Sequence, residues 1–216
     1  MAAMSFSASL AELLRLSGRA PPDASDVGAM LAEIARSPWL RFALGVAPDA
    51  PIPHDPEGVT RAAQEFCAAW KIWEAYRTCV IEVMPPGSAA VRFALDPAVG
   101  GAPPREFPAA TFAIITAWNP GSGEPRPNER ANRRANQQLA AHLDARLLQR
   151  WPAVNAPGSR WREESFAVLG IELDEAHRIA ESFQQRALYY VDRGRPLLVA
   201  RRRARVVTWE GELRVL

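Results

Sequence analysis

The stretch from Thr111 to Val191 constrains the fold more than any other part of the chain. It opens on Thr111-Phe-Ala-Ile-Ile-Thr-Ala-Trp118, an apolar run of strand length that reads as a central strand of a sheet. A loop and a helical pattern follow, the helix running from about Asn128 to about Arg150. Residues 152–155 read as a short strand and residues 165–171 as a second strongly apolar one. Asp174 is placed to cap a helix that runs to about Gln184, with Ala176, Ile179, Ala180 and Phe183 on its inner face. Residues 187–191 and 196–200 then form a hairpin around Asp192-Arg193-Gly194. Strand, helix, strand, strand, helix, strand is the order of a split, ferredoxin-like βαββαβ core. The expected fold class is therefore α+β, with a mostly antiparallel sheet and helices on one face. Extra strands are expected at the edges, at 80–84, 91–95, 206–209 and 213–216.

The first 75 residues read differently, as a helical extension that packs against this domain, so the expected boundary is 1–75 and 76–216. Ser9-Leu10-Ala11-Glu12 has the form of a capping box, followed by Leu13, Leu14 and Leu16 and stopped near Gly18. A second helix is predicted over 27–36, where Met30, Leu31 and Ile34 recur at helical spacing ahead of Pro38. Asp55-Pro56-Glu57 combines a cap, a first-turn proline and an acid at the positive end of the dipole. The helix it opens carries Val59, Ala62, Ala63, Phe66, Trp70 and Trp73 on one face. Residues 97–108 are rich in Pro and Gly and read as a loop.

Composition excludes several classes of function. Cys67 and Cys79 are too few for a disulfide framework or a four-cysteine zinc site, and read as reduced core residues. His54, His142 and His177 lack ligand spacing, so no metal and no cofactor is expected. No apolar run approaches the roughly 20 residues of a membrane span, and no signal peptide is evident. A cytoplasmic protein with no membrane partner is the expectation. Among 216 residues the basic side chains are 25 Arg and one Lys, and the charge is unevenly placed. Residues 1–110 balance to −3 and residues 111–216 to +5, which sum to the overall +2. The densest run is Arg201, Arg202 and Arg203 with Arg205. It can bind phosphates, or it can protect a sheet edge from pairing with another sheet. An aromatic platform such as Tyr189, Tyr190 or Trp209 beside it would favour the first use.

The long helix carries the most informative detail. At about 100° per residue, Ala135, Leu139, Leu143 and Leu147 fall within one arc of about 120°. Asn132 and Asn136 fall inside the same arc, four residues apart and hence neighbours. Amides that face a core must be hydrogen-bonded, or each costs roughly 1–3 kcal/mol. Both lie near the loop Asn119-Pro120-Gly121-Ser122-Gly123, which leaves the first strand and leads to the helix N-terminus. Such crossovers favour anions, although this loop has neither the P-loop nor the dinucleotide spacing. A turn tied to the helix by a structural amide network is the alternative reading.

These residues carry a resemblance. Ile114-Ile-Thr-Ala-Trp-Asn-Pro120 with Ser122, then Asn132 and Asn136, resembles a bacterial family known as domain of unknown function 3293. The likeness continues in Trp161-Arg-Glu-Glu-Ser-Phe166, at Trp161, Glu163 and Ser165, and in Gln185 and Ala187. It spans about residues 76–200. The family usually has Asn after that Gln, where this chain has Arg186. The family name carries no activity, so the resemblance implies a domain and a set of positions.

The candidate ligand-binding set is Thr116, Asn119, Ser122, Asn132, Asn136, Trp161, Ser165 and Gln185, with Glu163 as its one carboxylate and general-base candidate. Neutral amides and an aromatic face suit a flat polar ligand such as a nucleotide or another small polar molecule. The function expected is a small-molecule or nucleotide-binding domain with room for catalysis at Glu163. Two alternatives stand beside it. One is a nucleic-acid-associated module that uses Arg201, Arg202, Arg203 and Arg205. The other is a non-catalytic interaction protein whose amides form an internal network.

Overall fold

The structure, a computed structural model, describes residues 6–16, 23, 26–36, 57–58, 60–61, 74–103, 107, 109–120, 126–200, 205–208 and 213–215. The chain divides into two compact units, Met1–Ala75 and Tyr76–Leu216.

In the first unit, helix α1 (Phe6–Leu16) packs on helix α2 (Val27–Arg36). Leu10, Leu13 and Leu14 of α1 are fully buried, as are Met30 and Ile34 of α2. Asp26 Oδ1 accepts the Ala29 N–H at 2.8 Å and caps α2. The capping-box reading of Ser9 is corrected: α1 begins three residues earlier, at Phe6. Nothing between Phe6 and Ser9 is Gly or Pro, so the helix extends back past the motif. Residues 57–58 and 60–61 are helical. Asp55, Pro56, Trp70 and Trp73, like His54 and Cys67, lie outside the described residues.

The second unit is α+β. Its strands are β1 (Ile81–Val83), β2 (Val91–Phe93), β3 (Thr111–Ile115), β4 (Arg150–Asn155), β5 (Glu163–Leu169), β6 (Ala187–Asp192), β7 (Arg195–Ala200), β8 (Arg205–Thr208) and β9 (Leu213–Val215). They form one sheet in the order β2-β1-β4-β5-β3-β6-β7-β8-β9, and every neighbouring pair is antiparallel. Its helices are α3 (Pro97–Gly100), α4 (Glu129–Asp144) and α5 (Leu173–Ser182). Alternate residues Ala113, Ile115 and Ala117 share one buried cluster with Leu139 and Leu143 of α4 and with Ala176, Ile179 and Ala180 of α5. Both helices therefore cover the same face of β3. On the other face Phe112 stacks on Phe107 with ring centres 4.3 Å apart, and meets Phe93 edge-on at 5.8 Å. Burial from both sides explains why β3 is apolar without alternation.

Several boundaries differ from those read in the sequence. Residues 97–100 form a short helix capped by Asp96 Oδ1 rather than loop. The cap position of α5 is Glu172, so Asp174 sits in the first turn, where its charge meets the positive end of the dipole. Asn128 caps α4 through Oδ1 on the Ala131 N–H, but α4 ends at Asp144 and Arg150 already belongs to β4.

The early end of α4 has a specific geometry. Leu148 N–H donates to Leu143 O at 3.1 Å and Leu147 N–H to Asp144 O at 2.9 Å, the paired bonds of a Schellman motif. Leu147 occupies its left-handed position at φ 58°, where glycine is usual, and is 94% exposed. The expectation that Leu147 shares the apolar stripe is thus corrected. The chain has left the helix before reaching it. Leu147→Gly removes a left-handed penalty of roughly 1–2 kcal/mol, partly offset by a more flexible unfolded chain. A gain of about 1 kcal/mol in a denaturant titration is expected, and a loss would contradict this account of the helix end.

Candidate functional site

Strand β3 stops at Ile115, but the backbone remains buried to Trp118. Buried peptide groups that leave a sheet need other partners. Here side chains supply them. Ala117 N–H donates to Asn136 Oδ1 at 3.3 Å, and Asn119 N–H to Asn132 Oδ1 at 2.9 Å. Trp118 N–H donates to Thr116 Oγ1 at 3.0 Å, and that hydroxyl donates to Glu164 O at 2.7 Å. Trp118 O accepts from Gln185 Nε2 at 3.1 Å. Asn132, Asn136, Thr116 and Gln185 are all buried, and all four hold one short segment of chain. The inward turn of two asparagines on α4 follows from their work as surrogate sheet partners.

The clamp aims one side chain. Asn119 is left-handed at φ 48°, a conformation that asparagine tolerates better than most residues. Its Oδ1 accepts from Asn132 Nδ2 at 3.1 Å, and its Nδ2 donates to Glu163 Oε1 at 2.7 Å. Asn132 Nδ2 also reaches Pro127 O at 3.4 Å. A chain of hydrogen bonds therefore runs from α4 through the loop to the first residue of β5. No described residue donates to the second oxygen of Glu163. The Trp118 indole N–H is buried and has no partner among the described residues.

The surroundings of Glu163 set its chemistry. Burial raises its pKa, while the Asn119 amide and the positive charge of Arg126 pull the other way. Burial likewise pushes the Tyr76 phenol up to about 12, helped by the charge of Glu163 and opposed by Arg186. Burial also raises the Cys79 thiol and carries Tyr189 well above the usual phenol range. Tyr189 donates to Tyr76 O at 3.0 Å, and the two rings meet edge-on at 6.0 Å. On the open side, Trp161 is 48% exposed. The Arg126 guanidinium carbon lies 4.0 Å from its ring centre, and that of Arg160 lies 5.0 Å away.

Residues 115–188 match the family described as Protein of unknown function (DUF3293). The resemblance read from the sequence is shown for this segment. The DUF3293 match spans α4, β4, β5 and α5, and includes every residue of the clamp from Thr116 to Gln185. No curated protein and no solved structure gives a match.

Of the positions singled out in the sequence, Thr116, Asn119, Asn132, Asn136, Glu163 and Gln185 come together in one network, and Trp161 stands beside it through Arg126. Ser165 is buried on β5 and donates to Asn155 Oδ1 at 3.3 Å, a bond between strands. Ser122, Arg201, Arg202 and Arg203 lie outside the described residues, as does Trp209, and Arg205 is part of β8. Tyr189 and Tyr190 are both buried, and the Tyr190 hydroxyl donates to Ile171 O at 3.0 Å, so neither is an aromatic platform. Sequence reasoning passed over Arg126, Tyr76 and Trp118. The motif Trp-Asn-Pro pointed at Trp118, but nothing local signals Arg126 or Tyr76, which arrive from other segments. Among the described residues, no group of three or more His, Cys, Asp or Glu could hold a metal ion, and no helix is long and apolar enough to cross a membrane.

Two expectations follow. Asn132→Ala leaves the Asn119 N–H and amide oxygen without their partner and should cost about 1–3 kcal/mol in chemical denaturation. A change near zero would show that water replaces the amide. Glu163 has a folded pKa above its unfolded value. Its contribution is therefore favourable at acid pH and is lost as pH rises through the folded pKa. Glu163→Gln keeps the bond from Asn119 and should raise Tm at pH 7–8, with the gain vanishing toward pH 4. A gain that grows on acidification would reverse the assigned direction.

Proposed function

We propose that the Tyr76–Leu216 unit is a binding domain for a small, flat, polar ligand of the nucleotide class, read by the carboxylate of Glu163. One observation carries the reading. The half-buried carboxyl is held on one oxygen by Asn119, and its other oxygen has no protein donor among the described residues. A buried network that places one acceptor and leaves it half-used is suited to a ligand N–H, such as a base amino or imino group. The left-handed Asn119 and the raised pKa of Glu163 gather at the same spot, as strained backbone and perturbed carboxyls do at functional sites. A carboxyl with this shift also suits proton transfer, which makes Glu163 the general-base candidate of any reaction there.

The scaffold we infer for this site is a ferredoxin-like βαββαβ core formed by β3, α4, β4, β5, α5 and β6. The spatial order β4-β5-β3-β6, with antiparallel neighbours and both helices against one face, supports it. In that arrangement the clamp lies where β3 leaves the sheet, beside the start of β5.

A thermal-shift screen with nucleosides, nucleotides and other small heteroaromatic compounds tests the proposal. A member of this panel should raise Tm by several degrees. Glu163→Gln, which substitutes a donor for the free acceptor, should cut that ligand-induced shift by more than half while leaving the unliganded protein folded. A full shift in the variant would remove Glu163 from the site.

A further inference from the structure

We infer that the ligand carries a phosphate, bound by Arg126 and Arg160 on the ring of Trp161; this rests on the Glu163 reading and adds an anion subsite to it. The starting point is an electrostatic imbalance. Two guanidinium carbons lie 4.0 and 5.0 Å from one indole centre, so they are no farther apart than those distances combined. Among the described residues neither makes an ion pair with a carboxylate, although other arginines do: Arg133 with Glu129, Arg150 with Asp144, Arg162 with Glu164. Two like charges within a Debye length of each other repel, so the pair is a place where an anion is favoured. A single oxyanion within reach of both would offset the repulsion and gain charge-assisted hydrogen bonds from each.

The placement also fits the Glu163 site. Trp161 precedes Glu163 by two residues at the start of β5, and the charge of Arg126 acts on the Glu163 carboxyl. Arg126 therefore lies over the ring and within electrostatic reach of the acid. With guanidiniums against it, the half-exposed indole serves to hold cations in place rather than to stack a base. A molecule with an N–H edge at Glu163 and an anionic group at the arginines has the chemistry of a nucleoside monophosphate. Guanidinium pairs match the geometry and double charge of a phosphomonoester.

Calorimetric titration of the full chain with a nucleoside 5′-monophosphate and its parent nucleoside tests this. The nucleotide should bind at least tenfold tighter at low salt, and the advantage should shrink as salt is raised. Arg160→Gln, which spares the Arg126 charge beside Glu163, should cut the advantage by more than half while nucleoside affinity stays within about twofold, with the fold checked by circular dichroism. Equal affinity of nucleotide and nucleoside for the unaltered chain overturns the subsite and leaves the Glu163 reading standing. Inorganic phosphate provides the separate arm: it should shift the guanidinium resonances of Arg126 and Arg160, in the Glu163→Gln variant too. Unmoved resonances overturn the subsite whatever the nucleoside does. Phosphate-sensitive resonances with no nucleoside binding retain the subsite and overturn the base-reading role of Glu163. Binding of a short single-stranded oligonucleotide tenfold tighter than the mononucleotide overturns the mononucleotide assignment in favour of a nucleic-acid strand.

Discussion

The pair of hydrogen bonds between Asn132 and Asn119 is the constraint on which the site depends. Strand β3 must leave the sheet while still buried, and its peptide groups then have no strand to bond. One amide of α4 accepts the Asn119 N–H at 2.9 Å and donates to the Asn119 side chain at 3.1 Å. That double contact fixes both the backbone turn and the direction of the Asn119 side chain. A side-chain N–H of Asn119 is then pointed at Glu163. Without it, the first residue of β5 would carry an ordinary strand-end acid.

This arrangement separates two kinds of residue that looked alike in the sequence. Asn132, Asn136, Thr116 and Gln185 hydrogen-bond the backbone of 116–119 or its neighbours and hold that segment in place. Glu163 keeps one carboxylate oxygen without a donor among the described residues. Arg126, Arg160 and Trp161 form the exposed side of the same corner. The half-buried phenol of Tyr76 and the buried phenol of Tyr189 lie on the other side, neutral near pH 7. Glu163 thus lies between the neutral phenol of Tyr76 and the guanidinium of Arg126.

Much of the core was legible in the sequence because hydrophobic periodicity reports burial directly. Helix α2 runs over the predicted residues, β3 starts where expected, and Asn128 opens α4. The inward asparagines were visible for the same reason, as polar breaks in an apolar stripe. Boundaries failed where a local signal was missing or misleading. No glycine marks the end of α4, since Leu147 takes the left-handed position itself. Ser9 and Glu12 have capping-box spacing within a segment that is helical from Phe6 onward. The cationic side of the site was not legible at all. Arg126, Arg160 and Trp161 meet because two connecting segments pass near one another, and no period or motif encodes that meeting.

The account stands or falls on whether Glu163 is both held and available. A carbon-13 NMR titration of its side-chain carboxyl, without and with a saturating uncharged nucleoside, measures both properties together. The structure predicts a pKa above the ordinary glutamate value in the free protein. It also predicts a fall on nucleoside binding, because a ligand N–H donated to the carboxylate favours the ionised form. An ordinary pKa that ignores the ligand would contradict the central claim and leave the asparagine clamp with a structural role alone.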